Sequence, residues 1–172
     1  MIAAGKYGGF LYCLFTLNLL TQSGYAQLST TASHESPPPV SQSYLRINEV
    51  NAKAARHFAN HFASDGTEKW AIIDGFYIAS FSQGNVKTEV FYNSRGGFAY
   101  TVKSYPADLL LVDIKLAILR KFQDHIIDVI TEISNLSEKL YYIRIKNSSN
   151  IKMLKIVGNE MEITEDFANG GT

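Results

Sequence analysis

The clearest structural signal in this chain is a hairpin, written FYIASFSQGNVKTEVFY at residues 76–92. Two runs rich in aromatic and β-branched residues flank Gln83-Gly84-Asn85, and this arrangement predicts two strands joined by a tight turn. Outward from the hairpin, similar runs between turn residues predict strands at 70–73, 98–103, 126–133, 140–146, 151–157 and 161–164. Because most of the breaks are short, we expect antiparallel strands in a meander.

Two helices are predicted, one ahead of each group of four strands. Val50, Ala54, Phe58 and Phe62 recur every four residues, which places them on one face of a helix over 50–63. A second helix is predicted over 106–123, because proline suits a first helical position. Its buried stripe is expected at Leu110, Leu111, Ile114, Ala117, Ile118 and Phe122.

The two halves of the chain share this order of elements and short stretches of sequence. Phe76-Tyr77-Ile78 matches Leu140-Tyr141-Tyr142-Ile143, and Asn85-Val86-Lys87 matches Asn150-Ile151-Lys152 at nearly the same offset. The match predicts a duplicated unit over about 46–104 and 105–167, with chance similarity as the alternative. One such unit alone would bury too little surface to offset its chain entropy. We therefore expect an α+β fold, in which two helix-plus-antiparallel-four-strand units form a continuous or paired antiparallel sheet with the helices packed on one face.

Both ends of the chain are expected to lie outside the folded domain. Residues 1–26 predict a secretory signal peptide, with Lys6 ahead of an apolar run and Gly24-Tyr25-Ala26 before a cut at Gln27. The apolar run is shorter than the roughly 20 residues of a spanning helix, and an uncleaved anchor is the alternative. Residues 27–45 are predicted to be a disordered Ser/Thr/Pro-rich spacer, the folded domain covers 46–167, and 168–172 form a flexible tail.

Cysteine usage and charge exclude several classes of function. Cys13 is the only cysteine and lies in the predicted signal peptide, so the exported form is expected to have no disulfide, thiol nucleophile or thiolate metal site. The 16 basic and 16 acidic residues balance, which gives no long-range field for nucleic acid or an anionic membrane. We expect an exported protein, periplasmic or extracellular, with no nucleic-acid partner, no cofactor and no stable membrane anchor after signal cleavage.

The histidines and acidic residues form no catalytic pattern in the sequence. His57 and His61 are four apart on the first helix, as two metal ligands can be, but no third ligand accompanies them and two solvated histidines are the preferred interpretation. A general base at His125 would need a nucleophile within hydrogen-bond reach, and none is visible. We predict that the protein is not an enzyme and holds no metal; a hydrolase using His125 and Asp128 is the least favoured alternative.

Several structural patterns run through the folded region. A helix ends in Phe58 and Phe62, a polar gap follows, and Trp70 opens the first strand. The strand FYIASF at 76–81, the hairpin VFYNSRGG at 90–97, Tyr105-Pro106 ahead of the second helix, and IIDV at 126–129 follow in order. In these features the chain resembles the PepSY-like proteins related to the beta-lactamase inhibitor protein, a group of exported proteins common in Bacteroidetes. The resemblance implies a helix-plus-four-strand unit used twice, and a non-enzymatic role in binding or inhibiting another protein.

Aromatic residues on the strands are the candidate binding residues. Successive side chains of a strand alternate between faces, so some aromatics must point away from the helices, where tyrosine and tryptophan often dominate interfaces. The alternative is that aromatics are simply favoured on pleated surfaces. We expect a non-enzymatic module that binds a protein of unknown identity through the open sheet face and hairpin loops, using Trp70, Tyr77, Tyr92, Arg95, Tyr100 and Tyr142. The competing hypothesis is a carrier of a small apolar ligand, with a pocket between helices and sheet.

Overall fold

The computed structural model describes residues 44–62 and 65–168. The predicted signal peptide, nearly all of the predicted spacer and the tail from 169 onward lie outside the described residues. The helices and strands are α1 (Ala52–His61), β1 (Lys69–Ile73), β2 (Phe76–Gln83), β3 (Val86–Tyr92), β4 (Phe98–Tyr105), α2 (Val112–Lys121), β5 (Ile126–Ser134), β6 (Lys139–Lys146), β7 (Asn150–Val157) and β8 (Glu160–Ala168). The expected α+β fold, one helix and four strands used twice, is confirmed.

All eight strands form one antiparallel sheet whose spatial order follows the chain from β1 to β8. The prediction left a continuous and a paired sheet open, and the structure has the continuous one. The two halves join where β4 pairs with β5, in a register that sets Thr101 opposite Ser134 and Tyr105 opposite Ile130. The hydroxyls of Thr101 and Ser134 lie 2.8 Å apart and add a side-chain link at this seam.

The first helix packs on the first four strands as its periodicity predicts. Asn51 caps α1, because its side-chain oxygen accepts a hydrogen bond from the backbone N–H of Lys53 at 2.9 Å. Phe58 contacts Trp70 and Phe81 edge-to-face, with ring centroids 5.4 and 5.5 Å apart. The buried residues of this first core are Val50, Ala54, Phe58, Trp70, Ala79, Phe81, Val90 and Tyr92.

The second helix is shorter than predicted. Pro106 precedes a 3₁₀ turn over Ala107–Leu109, and extended backbone at Leu110 and Leu111 delays the helix until Val112. The predicted stripe is right at Leu110, Ile118 and Phe122, which are buried, and wrong at Leu111 and Ala117, which are exposed. Leu111 is exposed because it precedes the helix instead of lying within its buried face. The buried residues of this second core are Tyr105, Leu110, Ile118, Phe122, Ile130, Tyr141, Ile143, Ile145, Leu154 and Ile156.

The two halves also correspond at the ends of their helices. The backbone N–H of Phe62 donates to the carbonyl of Phe58 at 2.9 Å, and that of Phe122 donates to Ile118 at 2.8 Å. The two helices therefore end in the same way. In each, the backbone N–H of an aromatic residue makes the last helical hydrogen bond.

One of the two matches between the halves is displaced by a residue. Tyr77 and Tyr141 both pack on the side of the helices, as the first match requires. Strand pairing then makes Thr88 the counterpart of Lys152, because Thr88 lies opposite Phe81 and Lys152 lies opposite Ile145. The alignment of Lys87 with Lys152 is therefore wrong, and the duplication itself stays a prediction.

Candidate protein-interaction face

The sheet has two faces, and both helices pack on one of them. Val90, in the core under α1, lies opposite Thr101, and Tyr105, in the core under α2, lies four residues along the same strand as Thr101 and so on the same side. The neighbours of these residues point the other way. We call that other side the open face, since neither of the two described helices packs there.

Three aromatic rings meet on the open face at the end of the first half. Phe91 stacks on Tyr100, its partner across β3 and β4, with ring centroids 4.5 Å apart and planes 16° from parallel. Phe76 approaches both rings at 6.4 and 6.3 Å. We call Phe76, Phe91 and Tyr100 the aromatic patch. Phe91 is fully buried, whereas Phe76 and Tyr100 are partly exposed. Ring–ring contact restricts the two partly exposed side chains, which lowers the entropy cost of binding through them.

Charged side chains are held in place on the open face of the second half. The guanidinium of Arg144 contacts Asp128 Oδ2 through Nε at 2.7 Å and Nη2 at 2.6 Å, and the ammonium of Lys146 lies 3.0 Å from Asp128 Oδ1. Burial opposes ionisation of Asp128, but Lys146 and Arg144 outweigh it and lower the pKa of its carboxyl. Two cationic groups therefore share one carboxylate at a bulge of β5.

Tyr142 lies between these two regions on the same face. It is half-buried and pairs across the sheet with Thr131 on one side and Lys155 on the other. Burial, and then the negative charge of Glu162, raise the pKa of its hydroxyl. The hydroxyl of Tyr142 is therefore neutral at physiological pH.

Of the six predicted binding residues, Tyr100 and Tyr142 lie on the open face as expected from the strand periodicity. Trp70 and Tyr92 do not, and this corrects the expectation for them: both are buried against α1, where Tyr92 Oη lies 3.1 Å from Nδ1 of His57. Tyr77 packs partly on the same core. Burial raises the pKa of the Tyr92 hydroxyl far above its ordinary value, as expected of a hydroxyl in the core.

Arg95 is exposed, in a turn that is firmly held. Asn93 Oδ1 accepts hydrogen bonds from the backbone N–H groups of Arg95 and Gly97, each at 3.0 Å. Gly96 has φ +73° and is buried against the start of α1, beside Asn51. The backbone of the turn is therefore held in place, and the turn carries the exposed Arg95 at the end of the sheet, next to the start of α1.

The sequence prediction missed Phe76, Phe91 and the group around Asp128. A usable signal was present at Ala79, a small residue between large ones in β2. Ala79 and Ala54 are both fully buried in the same core, because a helix can approach a sheet closely only over small side chains. Assigning Ala79 to the helix side would have placed Phe76 and Ile78 on the open face.

His125 lacks the partner that a hydrolase would need. Its Nδ1 lies 2.7 Å from Asp124 Oδ1, and its Nε2 lies 2.8 Å from Asn150 Oδ1. Asp124 also accepts a hydrogen bond from the amide of Asn147, and the bonds from His125 and Asn147 lower its pKa. The two ring nitrogens face a carboxylate and an amide, neither of which is a hydroxyl that His125 could activate, and Asp128 is paired with its two cations.

His57 and His61 stack on each other, with ring centroids 4.1 Å apart. The Nδ1 atom of His61 lies 2.9 Å from the backbone carbonyl oxygen of His57. Burial and the neighbouring charge of His61 lower the pKa of His57. Within residues 44–62 and 65–168, no three His, Cys, Asp or Glu side chains come together as a metal site, and none of the helices there has the length and apolarity to span a membrane.

Comparison with known proteins identifies the fold. No family model matches the chain, and no curated protein matches it. A DUF2874 family protein from Bacteroides ovatus has a TM-score of 0.56 and 16% identity, over 68% of this chain and 86% of that one. A BLIP-like protein from Bacteroides fragilis has a TM-score of 0.54 and 10% identity, over 70% and 86%. A candidate periplasmic protein from Bacteroides eggerthii has a TM-score of 0.54 and 11% identity, over 68% and 87%.

These likenesses support the beta-lactamase-inhibitor-protein side of the predicted resemblance, at the level of the fold. They do not test its PepSY side, which stays a prediction. This chain therefore has the fold of the DUF2874 and BLIP-like proteins of Bacteroides, with sequence identities of 10–16%.

Proposed function

We propose that this chain is an exported, non-enzymatic module that binds a protein partner through the open face. One observation carries the proposal: large apolar side chains of the open face expose between 37% and 61% of their surface. They come from both halves of the sheet and are Ile73, Ile126, Val129, Val157 and Phe167. Ile126 and Phe167 lie on one line across the sheet, through the pairs Ile126–Lys146, Lys146–Ile151 and Ile151–Phe167. Exposed apolar surface grouped in this way is typical of an interaction site.

Two parts of the open face suit different parts of an interface. The aromatic patch is apolar, and Asp128, Arg144 and Lys146 form a charged group. Phe76 and Tyr100 are partly exposed and pack on the buried Phe91, so they provide an apolar surface that is held in place, as interface cores do. Arg144 and Lys146, already paired with Asp128, offer directed donors to a carboxylate or carbonyl of the partner. Because one carboxylate serves both cations, they favour a partner that brings negative charge to this end of the face.

The fold favours the same proposal by analogy. A structure with this fold is described as BLIP-like, and inhibition of an enzyme is one form that protein binding could take here. Another is described as a candidate periplasmic protein, which agrees with export of this chain. The signal peptide expected at residues 1–26 is part of the proposal.

The carrier hypothesis gains no support from the junction between the two cores. There the hydroxyl of Tyr105 donates to Glu132 Oε2 at 2.7 Å, and the ammonium of Lys139 lies 3.2 Å from Glu132 Oε1. A carboxylate with two polar partners on the helix side of the sheet does not suit an apolar ligand, because desolvating it is costly.

The test is affinity capture of envelope and secreted proteins by the immobilised chain, expressed at full length in the organism that encodes it. One variant carries Ile126→Asp and Phe167→Asp on the open face, and Tyr142→Ala forms a second. The matched control carries Leu111→Asp and Leu116→Asp, which are equally exposed apolar residues on the helix side. A protein captured by the wild type and the control, but not by the open-face variants, is expected. Equal capture by all forms would contradict the proposal.

A further inference from the structure

The two edges of the sheet differ in what covers them. β1 is five residues long, and Leu45 forms an antiparallel bridge to its Trp70, with the Leu45 N–H 2.7 Å from the Trp70 carbonyl. β8 is nine residues long, almost wholly exposed and last in the strand order. Half of the backbone groups of such an edge point away from the sheet, so β8 can accept a further strand.

Charge on this edge is concentrated on one side. Glu160, Glu162 and Glu165 all project toward the open face, because a bulge opposite Met153 and Leu154 shifts the alternation between Glu162 and Glu165. None of the ion pairs among the described residues involves these three glutamates. Asp166, on the helix side, is already paired with Lys152.

Apolar side chains lie between and beyond the glutamates. Met161 and Ile163 project to the helix side of the edge, and Ile163 is exposed. Phe167 is exposed on the open face at the end of the strand. The free edge therefore offers three carboxylates on one face and an apolar strip on the other.

The same charges act against pairing with a second copy of the chain. Two β8 strands brought edge to edge would set rows of glutamates near each other, and like charges across a strand pair are destabilising. A strand with lysine or arginine at alternate positions would instead meet each glutamate with an opposite charge. Its intervening side chains would lie over Met161 and Ile163.

We propose that β8 is a docking edge for an extended segment of another protein, which carries basic residues at alternate positions and apolar residues between them. The segment adds a ninth strand, in which main-chain hydrogen bonds supply affinity and alternate side chains supply specificity. This site is separate from the open face, since it uses backbone groups at the edge of the sheet and not side chains in its centre.

The probe is a capped peptide, Val-Lys-Thr-Lys-Val-Lys-Thr, titrated against the purified full chain at low salt. A peptide with glutamate in place of lysine is expected to bind at least about tenfold more weakly. Methylation of one alternate set of backbone nitrogens is expected to abolish binding, and methylation of the other set to spare it, because a strand turns only every second N–H toward its neighbour.

Protein variants locate the binding. The triple variant Glu160→Gln, Glu162→Gln and Glu165→Gln is expected to weaken peptide binding about tenfold. A matched control removes three charges elsewhere, with Asp74→Asn, Asp113→Asn and Glu138→Gln, and is expected to change it less than about twofold. Hydrogen exchange of β8 amides should slow when the lysine peptide is bound.

Three results would overturn the proposal. The first is an equal loss of peptide affinity in the triple variant and its control, which would make the binding a general charge effect. The second is indifference to methylation of either set, which would exclude strand addition. The third is concentration-dependent self-association that protects β8 amides in the absence of peptide, which would make a second copy the occupant.

Discussion

Gly96, in the turn between β3 and β4, lies directly against Asn51, the residue that caps α1. A Cβ atom on Gly96 would overlap the Asn51 side-chain oxygen and come within 3.0 Å of the backbone nitrogen of Ala54. The turn that presents Arg95 and the start of the first helix are therefore one packed unit, although more than 40 residues separate them along the chain.

Substitution of Gly96 should be far more costly than substitution of a comparable turn glycine. Gly96→Ala combines a left-handed backbone with a collision and is expected to lower the free energy of unfolding by about 3 kcal/mol or more. Gly75 has φ +80°, and a Cβ atom added there would have no neighbour within 4 Å, so Gly75→Ala should cost only about 1–2 kcal/mol. Chemical denaturation of both variants measures the difference, and equal losses would show that the contact with Asn51 contributes nothing.

Strand positions were predictable because turn residues separate the strands so regularly. β3 has its predicted bounds, and β2 and β6 exceed theirs by one residue. β8 extends beyond its predicted bounds of 161–164 to Glu160–Ala168, because an edge strand tolerates charge on its exposed side. The start of α2 was not predictable, because the 3₁₀ turn and the extended Leu110 and Leu111 continue an apolar pattern that is also compatible with a helix.

The candidate site was harder to predict than the fold. Apolar residues occur at nearly every position of β2 and β3, so periodicity alone did not say which set faces the helices. An error of one residue moves a side chain to the opposite face, and Tyr92 and Phe91 exchanged places in this way. Three-dimensional contacts such as Tyr92 with His57 were needed to assign the faces.

Two buried tyrosines at the junction of the halves should respond in opposite ways to loss of the hydroxyl. Tyr105 donates to Glu132, so Tyr105→Phe leaves a mostly buried carboxylate short of a donor and should cost about 1.5–3 kcal/mol. The hydroxyl of Tyr141 is enclosed and makes no hydrogen bond to a described residue, and burial is the first cause that raises its pKa. Tyr141→Phe should therefore be neutral or stabilise by up to about 1 kcal/mol.

Thermal and urea unfolding of both variants provide the measurement. Phenylalanine keeps the ring in each case, so packing is matched and the hydroxyl is the only change. A large decrease in the free energy of unfolding of Tyr141→Phe would mean that the Tyr141 hydroxyl has a hydrogen-bond partner in solution.

His57 should make stability depend on pH in the mildly acidic range. Its pKa is lowered from an ordinary value of 6.5, so the folded chain binds a proton at this site less readily than the unfolded chain. The stabilising contribution is fully present above about pH 6.5 and is lost as the pH falls through the lowered value.

The free energy of unfolding should therefore fall between about pH 7.5 and pH 5 by more in the wild type than in His57→Gln. Glutamine keeps a polar side chain at this position but does not titrate. His61→Gln is the matched variant, and it should reduce the fall only in part, because the charge of His61 is the second cause of the shift. Identical pH profiles for the wild type and His57→Gln would rule out this role.

Asp128 should be the residue of the charged group whose loss matters most. Asp128→Asn leaves Arg144 and Lys146 close together without a counter-charge and is expected to cost about 1–2 kcal/mol near neutral pH, since all three side chains are partly exposed. The lowered pKa of Asp128 means that its contribution is present above its ordinary value of 3.8 and is lost as the pH falls through the folded value. The stability gap between the wild type and Asp128→Asn should accordingly close in strong acid.

The control is Asp113→Asn, which removes an exposed carboxylate on α2 and should show little stability gap at any pH. A gap that persists after Asp128 is protonated would mean that the asparagine disturbs the β5 bulge itself, and that the two cations are not what holds the carboxylate in place.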